Sequence, residues 1–144
     1  MKRTILVVDD QQDIARALMA RLRTLGFEVI LASDSIKACA IAQKEMPSLI
    51  ILDTLIPGGG GFSVAERLAE RLKVSPATRH IPIIFLTGVP GGEERAYRAG
   101  ACSYLLKPCH PSLLLNEIAK ALEAEERPLV TDTHGNLEMS PLPA

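Results

Sequence analysis

The sequence predicts an α/β protein: a five-stranded parallel sheet wound on both faces by helices, a doubly wound (βα)5 chain. Two observations carry this. Five short apolar runs recur along the chain, Ile5-Leu6-Val7-Val8, Val29-Ile30-Leu31, Leu49-Ile50-Ile51-Leu52, Ile83-Ile84-Phe85-Leu86 and Tyr104-Leu105-Leu106. They are continuous rather than alternating, as strands covered on both faces require. Between them lie stretches of helical spacing, too long for hairpins and so suited to parallel crossovers.

Taken in order, Ile14, Leu18, Leu22 and Leu25 predict the apolar face of a first helix that stops at Gly26. Ile36, Ala40 and Met46 predict a second stripe, ended by Pro47, with Cys39 as a core thiol. Phe62, Ala65, Ala69 and Leu72 predict a third, with Glu66, Arg67, Glu70 and Arg71 outward. The fourth helix has only residues 93–99, between Gly91-Gly92 and Gly100. The last runs from Pro111 to Glu126 on Leu115, Ile118, Ala119 and Leu122, and the Leu113-Leu114-Leu115 run exceeds one helical face. After that the periodicity stops. Residues 1–127 read as one domain and 128–144 as a tail or linker stump.

Composition removes several function classes. The 144 residues carry 16 Lys+Arg against 17 Asp+Glu, with three Phe, two Tyr and no Trp, so neither a basic footprint nor a stacking platform for nucleic acid is present. Apolar runs of four residues fall far short of the about 20 that span a bilayer, and Lys2-Arg3 is followed by too few apolar residues for a secretory signal. Three cysteines without C-x-x-C spacing suit a reducing compartment, hence a cytoplasmic protein.

The polar residues fall where chemistry is expected. In an open parallel sheet, ligands bind outside the carboxyl ends of the strands. Asp9-Asp10 ends the first strand, Asp53 the third, Thr87 the fourth and Lys107-Pro108 the fifth. Three carboxylates at one edge repel one another unless a cation sits among them, and an oxygen-only, incomplete ligand set suits Mg²⁺ better than Ca²⁺. With the Lys107 ammonium and the Thr87 hydroxyl, such an ion would clamp the oxygens of a phosphoryl group. A carboxylate can be the nucleophile of phosphoryl transfer, and Asp53, at the centre of the sheet, is best placed.

These five positions, with His80-Ile81-Pro82, Ala99-Gly100-Ala101 and Tyr104-Leu105-Leu106-Lys107-Pro108, resemble the receiver domain of two-component response regulators over about residues 3 to 126. The resemblance implies a flavodoxin-like sheet of order 2-1-3-4-5 and a phosphorylation-controlled switch that catalyses its own phosphorylation without being a turnover enzyme. Asp53 would take a phosphoryl group from a sensor histidine kinase or histidine phosphotransfer protein. Asp10, Asp53 and the backbone carbonyl of Leu55 would bind Mg²⁺ directly, and Asp9 through water. Lys107 would pair with Asp53 at rest and with the phosphoryl group afterwards, its bond to Pro108 being cis. Thr87 would move toward the phosphate and Tyr104 swing inward, to be read by a downstream protein target. Monomer and weak homodimer both remain open. No output domain fits after the last helix, so the chain is expected to be either a stand-alone receiver or a domain of a longer regulator or hybrid kinase.

The chain departs from the family pattern in places. Pro57-Gly58-Gly59-Gly60-Gly61 replaces a loop that usually carries Met and Asp, and should be mobile. Gly88-Val89-Pro90-Gly91-Gly92 leads into a short fourth helix, and Cys109 stands where Phe is common. Leu55 and Val89 are apolar and cannot orient a water, so slow autodephosphorylation is expected. Other readings compete with this one. A haloacid dehalogenase-like phosphatase wants Asp-x-Asp, but Gln11 follows Asp9 and Leu55 follows Asp53 at that spacing. A receiver-like docking module independent of phosphorylation would not need the five-residue set. Taken singly the residues have plainer roles: Asp9 or Asp10 as a helix cap, Tyr104 as cover for a sheet edge, and His80, His110 and His134 as solvated side chains.

Overall fold

The structure, a computed structural model, describes residues 3–9, 12–53, 62–126, 129–131 and 137–139. Five strand–helix pairs follow one another: β1 (Thr4–Val8), α1 (Gln12–Thr24), β2 (Glu28–Ala32), α2 (Ser35–Glu45), β3 (Leu49–Leu52), α3 (Phe62–Val74), β4 (Ile83–Thr87), α4 (Glu93–Arg98), β5 (Ser103–Leu106) and α5 (Pro111–Glu126). All five strands are parallel and stand in the order β2-β1-β3-β4-β5, the expected topology. Among the described residues no helix is long and apolar enough to cross a membrane.

Because successive strand residues point to opposite faces, each apolar run supplies two cores at once. Leu6, Val8, Ile50, Leu52, Ile83 and Phe85 pack against α2, α3 and α4. Ile5, Val7, Leu49, Ile51, Ile84 and Leu86 pack against α1 and α5. This is why the runs are continuous: an alternating strand would bury polar groups on one face.

Three helix faces differ from expectation. In α1 the buried residues are Ala15, Met19 and Leu22 with Leu18 beside them, whereas Leu25 lies beyond the last turn and is 52% exposed. The side chain of Ile14 lies outside the described residues. In α2 the predicted stripe is wrong: Ile36 is 82% exposed, and Ala40 and Met46 are also exposed, while Ala38, Cys39 and Ala42 are buried. Ten residues, the gap from Ile36 to Met46, is not a whole number of helical turns, and small side chains are what let α2 lie close to β1 and α3. Asp34 caps this helix, accepting from the Lys37 N–H at 2.8 Å, and Met46 closes it in a left-handed conformation. In α5, Leu114, Ile118, Ala121 and Leu122 are buried; Leu115 is half-buried, and Ala119 and Leu113 face out.

The segment after α5 contains structure that the periodicity did not suggest. Strands β6 (Leu129–Thr131) and β7 (Leu137–Met139) pair antiparallel as a separate two-stranded ribbon.

The corrected α1 face has a direct test. Leu22→Ala empties a fully buried position and should cost about 2–5 kcal/mol in urea unfolding. Leu25→Ala should cost under about 0.5 kcal/mol, as exposed positions do.

Candidate functional site at the carboxyl edge of the sheet

The backbone of each site residue is held by the strand next to it. The Asp9 N–H donates to the Ala32 carbonyl at 3.1 Å, the Asp53 N–H to Val8 at 2.9 Å and the Lys107 N–H to Thr87 at 2.7 Å. Each parallel ladder thus extends one step past its strand, and the strand order alone brings these residues to one edge. Asp9 and Asp53 are only 6% and 4% exposed, and Thr87 is fully buried.

The Lys107 ammonium lies between the two carboxylates, 3.1 Å from Asp9 Oδ2 and 3.5 Å from Asp53 Oδ2. The expected resting partner was Asp53; the structure has the lysine bridge both acids, nearer to Asp9. The Lys107–Pro108 peptide is cis. Asp10, Leu55 and the loop 57–61 lie outside the described residues, as does His134. Among the described residues two buried carboxylates face one ammonium, and the carboxylate donors are all oxygens. That donor chemistry fits a hard divalent cation such as Mg²⁺, for which Asp9 and Asp53 would serve as ligands.

Thr87 and Tyr104 meet at one peptide unit. The Val89 N–H donates to Thr87 Oγ1 at 3.1 Å, and the Tyr104 hydroxyl donates to the Val89 carbonyl. Tyr104 is already turned inward and buried, stacked with Phe85 at 6.2 Å and against Phe62 at 6.5 Å between ring centroids. Burial, with Glu93 nearby, pushes its phenol above the usual range. Gly92 seals this cluster: a Cβ there would lie 2.5 Å from Phe62 Cε2 and 2.7 Å from the Tyr104 hydroxyl, so no side chain fits.

Sequence reasoning missed a second contact on this side. Arg95 of α4 donates two hydrogen bonds to Glu66 of α3, at 2.9 and 3.0 Å, and its guanidinium lies 4.6 Å above the Phe62 ring. Its hydrogen bonds hold the Glu66 carboxyl below the usual range. The signal was the coincidence of an acid on α3 and a base on α4, which is invisible without the pairing of the two helices.

Burial pushes the Cys102 and Cys109 thiols up, which disfavours thiolates, and all three cysteines are free. His80 and His110 are exposed; His110 Nδ1 accepts from the Ser112 N–H in the first turn of α5. Between α1 and α5 a groove of about 690 Å³, lined by Leu18, Leu22, Cys109 and Leu114, opens beside Asp9 and Lys107.

A parallel 2-1-3-4-5 sheet with acids, a hydroxyl and a lysine on its carboxyl edge defines an α/β protein of the flavodoxin-like, CheY-like class. Comparison with known proteins narrows this. The family described as response regulator receiver domain matches residues 5–119. A probable transcriptional regulator, ycf27, of Cyanophora paradoxa is 36% identical over 139 residues, 95% of this chain and 55% of the relative. The response regulator PleD of Caulobacter vibrioides is 37% identical over 120 residues, 82% of this chain and 26% of its own. The chain therefore spans about half, or a quarter, of the length of these curated relatives. Among solved structures, a CheY-like response regulator receiver domain protein of Methanospirillum hungatei superposes with a TM-score of 0.77 at 27% identity, covering 88% of this chain and 98% of that one. The receiver domain of a sensor histidine kinase of Pseudomonas aeruginosa, with a magnesium ion coordinated in its active-site cleft, does so with a TM-score of 0.75 at 27% identity, covering 85% and 98%. The chain belongs to the response regulator receiver domain family of two-component signalling.

The Glu66–Arg95 pair predicts a pH dependence. A carboxyl whose folded pKa is lowered contributes stability that is present above its unfolded pKa and lost as pH falls through the folded one. Glu66→Gln should therefore be less stable than the parent near neutrality, and the two melting curves should converge as the pH falls below the ordinary carboxylate range.

Proposed function

We propose that Asp53 is the phosphoacceptor, and that the chain passes or reads a phosphoryl group received from a phosphohistidine on a sensor histidine kinase or histidine phosphotransfer protein. The observation that carries this reading is the Lys107 ammonium held between buried Asp9 and Asp53 beside buried Thr87. A nucleophilic carboxylate, a movable cation and a hydroxyl donor are what an in-line displacement at phosphorus needs.

In this reading an Asp53 oxygen attacks phosphorus, the P–N bond to the donor imidazole breaks, and the leaving nitrogen takes up a proton. Lys107 turns from the carboxylates to the phosphoryl oxygens, and Thr87 donates its hydroxyl to another of them. Asp9, Asp10, Asp53 and the Leu55 carbonyl would hold a magnesium ion, which supplies neutralisation of charge on those oxygens when bound. The groove between α1 and α5, opening at Lys107, suits the apolar flank of the donor protein. Such chemistry belongs to the cytoplasm, and the reaction is stoichiometric rather than a turnover.

The test is labelling by acetyl phosphate with Mg²⁺, read by intact-protein mass. The parent should gain one phosphoryl group, and Asp53→Asn should gain none; labelling that survives in Asp53→Asn refutes the assignment. Loss of label should also be slow. Val89, tied through both its N–H and its carbonyl, carries an apolar side chain that cannot orient a water. A phosphoryl half-life of minutes or longer is expected in a label-decay assay, and one of seconds would contradict it.

A further inference from the structure

We propose that Arg95 is a positioning residue: its paired hydrogen bonds to Glu66 and its seat over Phe62 clamp α4 onto α3, and this clamp sets the Thr87 hydroxyl through the Val89 peptide. The inference rests on the phosphoryl-contacting role given to Thr87 above.

The need for a clamp is written in the chain. Helix α4 has six residues, less than two turns, and a helix that short does not hold itself. It is entered through Gly88-Val89-Pro90-Gly91-Gly92, where Gly91 sits at φ +85. Such a lead costs backbone entropy to order. Yet this segment carries the two hydrogen bonds that fix Thr87 and Tyr104, both made at Val89. Something outside the segment must order it.

The contacts run without a gap. Glu66 is one turn into α3, and its carboxylate takes both the Nε–H and an Nη2–H of Arg95, a planar two-point grip that a lysine cannot reproduce. The same guanidinium lies over Phe62, the first residue of α3. Phe62 touches Phe85 and Tyr104, with Gly92 wedged against both Phe62 and Tyr104. Tyr104 then holds the Val89 carbonyl, and the Val89 N–H holds Thr87. The clamp thus orders the loop before any phosphoryl group arrives, and a hydroxyl held in place costs no reorganisation at the moment of transfer.

Three variants and one control test this, with the two tyrosines of the chain replaced by 3-fluorotyrosine. Glu66→Gln, Arg95→Gln and Arg95→Lys should each slow labelling by acetyl phosphate roughly five- to thirty-fold. The loss should fall on the maximal rate, with the half-saturating concentration of acetyl phosphate unchanged. In ¹⁹F spectra the Tyr104 resonance should move or split. Glu94→Gln, which breaks only the exposed pair with Arg98 inside α4, should change neither readout. Circular dichroism of each variant establishes that the sheet is intact. Unchanged labelling in folded Glu66→Gln and Arg95→Gln would overturn the proposal, as would an unmoved Tyr104 resonance or full activity in Arg95→Lys. If the parent itself takes no label on Asp53, the functional reading fails instead, and the Tyr104 resonance still decides whether the clamp orders the loop.

Discussion

Two carboxylates almost withdrawn from water, with one ammonium between them, are the constraint on which this structure turns. Ionised acids at the exposure of Asp9 and Asp53 are tolerable only if paired, and removing a partner from such a pair is costly. The partner comes from far along the chain and from a distant strand. Adjacent strands stand roughly 5 Å apart, so Lys107 on the edge strand β5 must reach over β4 to meet acids that end β3 and β1. A long unbranched stem can do so. Strand order, side-chain length and burial are therefore one requirement stated three ways.

Much of this was legible in the residues themselves. Continuous apolar runs report strands covered on both sides, and polar residues that follow such runs report the edge where ligands bind, so the fold and Asp9, Asp53, Thr87 and Lys107 could be read in order. What could not be read has a physical reason in each case. The face of α2 was misplaced because Ile36 and Met46 are larger hydrophobes than Ala38, Cys39 and Ala42, while close packing at the sheet favours the small ones. The bridging position of Lys107 depends on distances across three strands, which no local pattern records. The ribbon β6–β7 has strands of three residues each, too short to show a period.

The side of the sheet that carries α4 shows how a short element can be made adequate. Helix α4 contributes little burial of its own beyond Ala96, and the loop before it is rich in glycine. Order there is borrowed from α3, by an ion pair on the outside and an aromatic stack on the inside. The stack also explains why Gly92 has no side chain: the space a Cβ would need is taken by Phe62 and Tyr104.

The alternation of side chains along each strand has a last consequence. The five strands act as a bulkhead between two compartments that share backbone but no side chains, one closed by α1 and α5, the other by α2, α3 and α4. The groove that opens beside Lys107 belongs to the first, and the Phe62–Phe85–Tyr104 stack to the second. Helix surfaces in one compartment can be recut without repacking the other. A chain built this way can change the surface over α1 and α5 while keeping the packing under α2, α3 and α4, because only the carboxyl edge is common to both.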